Sequence, residues 1–295
     1  MLGKEFSIKE KKCRKSKRNK LMRFIICSNI SFLLSITVTI LAFLLIVRFS
    51  CFSNYSLFLN MRANNYYSSL QEDMYKKAQS ITLSAGLPVE IIDHTMDIYQ
   101  INRDVQGYIN AGIKGKSFAI DTSGIENKLE INIRNYFMEK DFVPTIEQNQ
   151  TMELYKDSIS KLYIDYIKLP LLNSYIKGRE IYIPIFQMGL GISIFLITLM
   201  LFLIIKLNPW LHRAFRYITY SITASALMIA IIPAILLYYE EYIRINLKPL
   251  YVYQMVIYFI SNVLETFIKF AVVLGIVAVV LLIIIKELKL RLVIK

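Results

Sequence analysis

Residues 181–205 read IYIPIFQMGLGISIFLITLMLFLII, a stretch without a charged side chain. Three further apolar runs occupy residues 24–47, 217–239 and 256–285. An α-helix rises about 1.5 Å per residue, so each run is long enough to cross a hydrocarbon core of roughly 30 Å. The runs show no period-two alternation, which argues against a β-barrel. The sequence therefore predicts an all-α membrane protein with four transmembrane helices.

The composition agrees with this fold class. The chain has 295 residues, of which 55% are hydrophobic and 19% are charged, and its mean hydropathy is +0.45. Soluble domains commonly carry about 25% charged residues. The composition therefore favours a membrane protein over a soluble one.

The net charge of +13 is concentrated in three segments. Residues 1–23 carry a net charge of +8, while residues 206–216 and residues 286–295 carry +3 each. Residues 48–180, in contrast, carry −1. Because short basic segments beside transmembrane helices stay in the cytoplasm, we expect these three segments to be a cytoplasmic tail, loop and tail. Residues 48–180 and the loop 240–255 are then expected outside, with both chain termini inside.

The basic N-terminal segment determines which partners the charge implies. Residues 1–20 form a charge run without apolar periodicity, so we expect them to be unstructured and to lie against anionic lipid headgroups. Because the positive charge does not lie on a soluble domain, it does not predict binding to nucleic acid.

Residues 48–180 are predicted to form a mainly helical extracytoplasmic domain. Apolar residues recur about every four positions over residues 57–81 and again over residues 98–109. This spacing is typical of amphipathic helices. Between these two stretches, Pro88 is expected to open another helix that continues through Met96.

Two more helices are predicted in the second half of this domain. Ser123 and Glu126 form an S-x-x-E pattern, which is typical of a capping box at the start of a helix. A last helix is predicted from Ile146 until Pro170 stops or kinks it.

The sequence contains none of the common catalytic patterns, such as H-E-x-x-H, G-x-S-x-G or C-x-x-C. Gly115, Lys116 and Ser117 imitate the end of a phosphate-binding loop, but Asn110 stands where that loop needs its first glycine. The sequence therefore predicts neither a catalytic site nor a nucleotide cofactor.

A metal site is also not predicted. His94 is flanked by Asp93 and Asp97. One histidine with carboxylates from a single helix supplies too few convergent ligands for zinc. We interpret His94 as part of a solvated helix face and expect no metal in the domain.

Five residues at predicted membrane boundaries are the candidate site residues. Glu265 and Lys269 are four positions apart and can pair on one helix face, either at the interface or as a coupling pair in a transport path. Trp210, Arg213 and Arg216 lie in the short basic loop between spans 2 and 3 and are expected to anchor it at the interface. Docking of a cytoplasmic partner on this loop is the alternative.

The segment LNPWLHRAFRY at Leu207–Tyr217, with the Gly86-Leu87-Pro88 and Asp121-Thr122-Ser123 turns, resembles uncharacterised four-span membrane proteins of low-GC Gram-positive bacteria. This resemblance implies a bacterial plasma-membrane location and no particular activity. In topology alone the chain is also similar to the permease-like subunit of the cell-division ABC transporter, with its large first external loop. No residue roles follow from that likeness.

These observations favour a non-catalytic, multi-pass membrane protein. Its external domain is expected to bind a protein partner at the cell envelope or to relay a signal. The alternative is a component of a membrane transporter, in which Glu265 and Lys269 would take part, and an enzyme comes third.

Overall fold

The fold was obtained as a computed structural model. It describes residues 2–142 and 144–293, and the side chains of residues 21–142, 144–240 and 242–290. Within these ranges the chain forms nine α-helices and no β-strand. The helices are α1 (Leu2–Ile46), α2 (Asn54–Ala63), α3 (Tyr66–Ser84), α4 (Ile98–Ile113), α5 (Ser123–Glu139), α6 (Ile146–Ile167), α7 (Leu172–Leu207), α8 (Leu211–Tyr239) and α9 (Leu250–Val293).

Four of the described helical segments are long and apolar enough to cross a membrane. They contain the four apolar runs of the sequence, in helices α1, α7, α8 and α9. Many large apolar side chains on these helices are exposed, as is typical of surfaces that face lipid. The chain is therefore a multi-pass membrane protein.

The chain divides into two compact units. The four-span unit contains the residues up to Phe52, Ile183–Arg244 and the residues from Ile260 onward. The helical domain contains Ser53–Tyr182 and Ile245–Phe259. The first residues of α9 thus belong to the helical domain, although the sequence predicts a loop up to residue 255.

In the four-span unit, buried serine side chains join α1 to α8. The Ser31 hydroxyl donates to the carbonyl oxygen of Tyr217 at 2.9 Å, and Ser221 donates to that of Ser31 at 2.7 Å. One turn further along, Ser225 donates to the carbonyl oxygen of Ser35 at 3.0 Å. The spacing of four residues on both helices places these small side chains along one seam, where the helix backbones approach closely.

Helix α1 corrects one expectation from the sequence. The helix begins at Leu2, so residues 2–20, expected to be unstructured, are helical. Lysine, arginine and glutamate have high helix propensities. Because the apolar run beyond residue 21 already forms the helix, each further residue adds a hydrogen bond without a new nucleation step.

The core of the helical domain lies between α3 and the helices around it. Fully buried side chains come from α3 (Leu70, Met74, Ala78), α4 (Ile101, Val105, Ile109), α5 (Ile125, Leu129) and α6 (Ile159, Tyr163, Ile167). The start of α9 adds Tyr251, Val252 and Met255 to the same core. The segment that connects spans 3 and 4 is therefore part of the domain's core.

The predicted helix over residues 57–81 is two helices. It breaks at Asn64 and Asn65, and Asn65 has a φ of 51°. Asparagine tolerates this left-handed conformation better than most residues, because its short polar side chain can form local hydrogen bonds. The apolar repeat continues on both sides of the break, which is why the spacing alone predicts one helix.

The helix predicted from Pro88 through Met96 is wrong. A single 3-10 turn, Val89–Ile92, follows Pro88, and His94 has a φ of 56°. The Thr95 hydroxyl donates to the carbonyl oxygen of Ile92 at 2.7 Å, so a side chain takes the acceptor that a continuing helix would use. His94 therefore lies in a turn and not on a helix face.

Candidate functional site

A groove runs between α5 and α6 of the helical domain. Its middle section has a volume of about 600 Å³, within the usual range for ligand pockets. This section is lined by apolar side chains (Ile133, Phe137, Met138, Phe142, Pro144 and Met152), by Asn149 and by charged side chains (Glu130, Arg134, Asp141, Glu153 and Lys156). Two neighbouring cavities share lining residues with it, so the groove continues in both directions.

The start of α5 differs from the predicted capping box. The N-cap residue is Thr122, not Ser123, and its hydroxyl donates to Oε1 of Glu126 at 2.7 Å. Oδ1 of Asp121 accepts the backbone N–H of Ser123 at 3.0 Å. Hydrogen bonds from the Ser123 side chain and backbone hold the pKa of Asp121 below its usual range. The helix therefore begins as an Asx turn, and Glu126 is left to contact another helix.

Glu126 joins the two walls of the groove. Its Oε1 also accepts a hydrogen bond from the Ser160 hydroxyl of α6 at 2.8 Å. Helix α6 itself begins with a capping box, in which the Gln148 N–H donates to the Thr145 hydroxyl and Gln148 accepts from the Thr145 N–H at 2.8 Å. The Thr-Ile-Glu-Gln sequence carries this pattern, which the sequence prediction missed.

The turn after α5 places an aromatic side chain at the groove. Asp141 has a φ of 46°, and the N–H of Phe142 donates to the carbonyl oxygen of Phe137 at 3.1 Å. This arrangement ends a helix in a left-handed residue and returns the next side chain to the helix surface. The rings of Phe137 and Phe142 accordingly lie 5.5 Å apart and form an aromatic wall.

One end of the groove is acidic. The carboxylates along it belong to Glu126, Glu130, Glu153 and Asp157. Lys156 lies between the helices, with its Nζ 2.7 Å from Glu153 and 3.7 Å from Glu130. Asp157 pairs with Lys161 at 2.7 Å. Even with both lysines counted, the carboxylates outnumber the cations, so this end attracts positive charge.

The opposite end of the groove is largely uncharged. The residues that line it together with the aromatic wall are Ala85, Gly86, Leu87, Tyr136, Lys140, Gln148, Thr151 and Met152. Lys140 is the only charged residue among them. The two ends of the groove therefore differ in charge: one end is acidic, the middle combines apolar and charged side chains, and the other end carries a single lysine.

The predicted ion pair is formed in the four-span unit. Nζ of Lys269 lies 3.0 Å from Oε2 of Glu265, and both side chains are exposed on the surface of α9. Neither residue lines the groove. The pair therefore lies apart from the candidate site.

The three predicted interfacial anchors lie around the start of α8. Trp210 is the residue before the helix and is half exposed, with its ring 6.3 Å from that of His212. Arg213 and Arg216 line a separate cavity together with Arg23 of α1. No sequence pattern groups Arg23 with the other two, because 190 positions separate Arg23 from Arg213.

The groove was not predicted from the sequence. Most of its apolar side chains look like ordinary members of helices α5 and α6, and no local pattern marks those that line a groove. Met138 is exposed, Phe137 is half-buried and Ile133 is buried. In the described residues, no cluster of three or more histidine, cysteine or acidic side chains is arranged as a metal site. Comparison with protein-family models, curated proteins and solved structures finds no match to this chain.

Proposed function

We propose that this chain is a non-catalytic plasma-membrane protein of a bacterium, whose helical domain lies outside the cytoplasm and binds a protein partner through the α5–α6 groove. The distribution of basic residues supports the orientation, because the positive excess lies in residues 1–23, 206–216 and 286–295. The membership of Ile245–Phe259 in the helical domain agrees with four spans, since the segments after spans 1 and 3 then lie on the same side of the membrane, whichever side that is.

The observation that carries the proposal is the continuous groove with an apolar middle. Met138, on its rim, is 65% exposed and lines the same section of the groove as the rings of Phe137 and Phe142. Exposed apolar residues that adjoin an aromatic wall are typical of interaction sites. A groove between two helices accepts an amphipathic segment, whose apolar side chains fill the middle.

The charge of the groove specifies the partner further. The acidic end adjoins the apolar middle and shares Glu130, Glu153 and Lys156 with it. A segment that fills the middle of the groove with apolar side chains would therefore continue toward these carboxylates. The partner chemistry that fits is an amphipathic helix with an apolar stripe and lysine or arginine at one end.

A peptide-binding measurement on the full chain in nanodiscs tests this function. The probes are a fluorescent amphipathic peptide with a basic end, the same peptide with glutamate in place of each basic residue, and a scrambled peptide. We expect only the first to bind saturably. Equal binding of all three peptides, or binding of none, contradicts the proposal.

Two matched pairs of variants locate the binding site. Met138→Ser should weaken binding about tenfold, whereas Ile131→Ser, on the same helix and 58% exposed but outside the groove, should not. Glu130→Gln should weaken binding of the basic peptide, whereas Glu72→Gln on α3 should not, although both carboxylates are exposed. Equal effects within either pair would show that binding does not use the groove.

A further inference from the structure

A second cavity lies in the four-span unit and is independent of the groove. Its volume is about 370 Å³, and it is bounded by α1, the α7–α8 connection and the start of α8. The residues that line it are Arg23, Phe24, Asn208, Pro209, Arg213, Arg216, Tyr217 and Tyr220. Three of the eight side chains are thus arginines, and none is acidic.

Among the described side chains, no carboxylate pairs with the three arginines of the cavity. No aspartate or glutamate occurs between residues 24 and 52 or between residues 183 and 239. Three guanidinium groups around one cavity repel each other, so the arrangement is stabilised when an anion occupies it.

Local contacts hold one guanidinium in position. Nε of Arg216 donates to the hydroxyl of Tyr220 at 2.7 Å, and the guanidinium carbon lies 5.8 Å from the centre of the same ring. The Tyr220 hydroxyl accepts this bond, so its own hydrogen remains available to donate to a ligand. The other edge of the Arg216 guanidinium is available in the same way.

The backbone of α8 adds to the positive potential. The first turn of α8 contains no acidic residue, and Trp210 at the N-cap provides no side-chain hydrogen bond. The N terminus of a long helix carries partial positive charge and unpaired N–H groups. Pro209 and Arg213, on either side of this N terminus, both line the cavity. The helix dipole and the arginine side chains therefore both make the electrostatic potential in the cavity positive.

One wall of the cavity is apolar and aromatic. The rings of Phe24 and Tyr217 lie 6.5 Å apart and both line the cavity. A free inorganic anion gains nothing from such a wall. A phospholipid does, because its glycerol and upper acyl carbons adjoin its phosphate. The combination therefore favours a lipid over a soluble anion.

We propose that the cavity of Arg23, Arg213 and Arg216 binds the phosphate of an anionic phospholipid headgroup. Arg213 and Arg216, three positions apart on one face of α8, contact the phosphate from one side, and Arg23 of α1 contacts it from the other. The Tyr220 hydroxyl donates a further hydrogen bond. The lipid thus bridges two helices, which distinguishes this site from general attraction of basic residues to the membrane surface.

Native mass spectrometry of the full chain tests this site. The protein is reconstituted in phosphatidylcholine nanodiscs with a minor fraction of phosphatidylglycerol, and the lipid retained during release is counted. We expect one phosphatidylglycerol to be retained per chain. Retention of phosphatidylcholine to the same extent contradicts the proposal, and so does displacement of phosphatidylglycerol by millimolar inorganic phosphate, which would identify a site for a soluble anion.

Variants separate this site from diffuse electrostatics. The double variant Arg213→Gln and Arg216→Gln should weaken retention about tenfold or more. The control, Lys286→Gln with Lys289→Gln, removes the same charge from the end of α9 and should leave retention unchanged. Tyr220→Phe, which keeps every charge and the aromatic ring, should weaken retention by a smaller factor. An equal loss in the lysine control, or unchanged retention in both cavity variants, would overturn the site.

Discussion

Two buried tyrosines of the helical domain differ in what their hydroxyl groups contact. Tyr163 donates to Oδ2 of Asp104 at 2.7 Å, and both side chains are buried. The hydroxyl of Tyr66 is buried and has no hydrogen-bond partner among the described residues. A buried hydroxyl with a charged partner stabilises the fold. A buried hydroxyl without a partner has lost its hydrogen bonds to water, and no bond within the protein offsets that cost.

The two hydroxyl deletions should therefore have opposite effects on stability. Tyr163→Phe leaves the buried Asp104 carboxylate with only the ion pair to Arg103, at 3.5 Å, and should lower the free energy of unfolding by about 1–3 kcal/mol. Tyr66→Phe should leave that free energy unchanged or raise it by about 1 kcal/mol. Pulse proteolysis of the intact protein across a urea series measures both. Equal losses in the two variants would mean that Tyr66 has a partner, such as an ordered water.

Tyr66 also predicts a pH dependence. Burial raises its pKa well above the ordinary value of about 10. The pKa of Tyr66 is higher in the folded protein than in the unfolded protein, so ionisation favours the unfolded state. This loss of unfolding free energy is absent below pH about 10 and grows as the pH rises beyond it. Tyr66→Phe should accordingly lose less stability than wild type between pH 9 and pH 11, by the same urea assay. Parallel losses in the two proteins would contradict this.

The ends of α5 and α6 show which features of a helix can be predicted from its own sequence. Both helices were predicted at nearly their observed positions, because apolar spacing and flanking prolines act locally. The cap at Ser123 was wrong, since Thr122 is the N-cap residue and Asp121 accepts the N–H of Ser123, and the cap at Thr145 was missed. The break at Asn65 was missed because the apolar repeat continues across it.

Thr145 and Ser123 should differ in how much they stabilise the first turns of their helices. Thr145→Ala removes one half of a capping box and should destabilise the start of α6 by about 1 kcal/mol. Ser123→Ala should have a smaller effect, because Ser123 is not the N-cap residue. Hydrogen exchange of the first turns of α5 and α6, measured in the intact chain, compares them. Faster exchange in α5 than in α6 after these substitutions would restore the original capping assignment.

For the whole molecule, the sequence predicted the four spans and failed on the arrangement of the residues between them. The spans can be predicted from the length and hydropathy of each apolar run, because the bilayer sets how long and how apolar a crossing helix must be. The groove, the arginine cavity and the burial of Tyr251 depend on which residues meet in space. No local pattern indicates, for example, that Arg23 adjoins Arg213, or that a segment after span 3 completes a core formed after span 1.

The burial of Tyr251 changes what is expected of an isolated domain. Tyr251 lies with its ring 5.6 Å from that of Tyr66 and 6.1 Å from that of Tyr166. A fragment of residues 53–182 should be helical by circular dichroism, but sticky and less stable than the same fragment with residues 245–259 attached by a flexible linker. A difference of several degrees in the unfolding midpoint is expected. Identical midpoints would show that the α9 segment is dispensable, and unfolding on addition of a chelator would point to a metal.

The side of the membrane on which the helical domain lies decides whether the α5–α6 groove can meet a partner at the cell envelope. In a variant with Cys13, Cys27 and Cys51 replaced by serine, single cysteines are introduced at Met138 in the groove or at Leu211 beside the arginine cavity. Both positions are exposed, so both should react once the membrane is permeabilised.

In intact cells, a membrane-impermeant maleimide should label position 138 and leave position 211 unlabelled until permeabilisation. Labelling of position 211 in intact cells, with position 138 protected, would contradict the proposed orientation and place the helical domain in the cytoplasm.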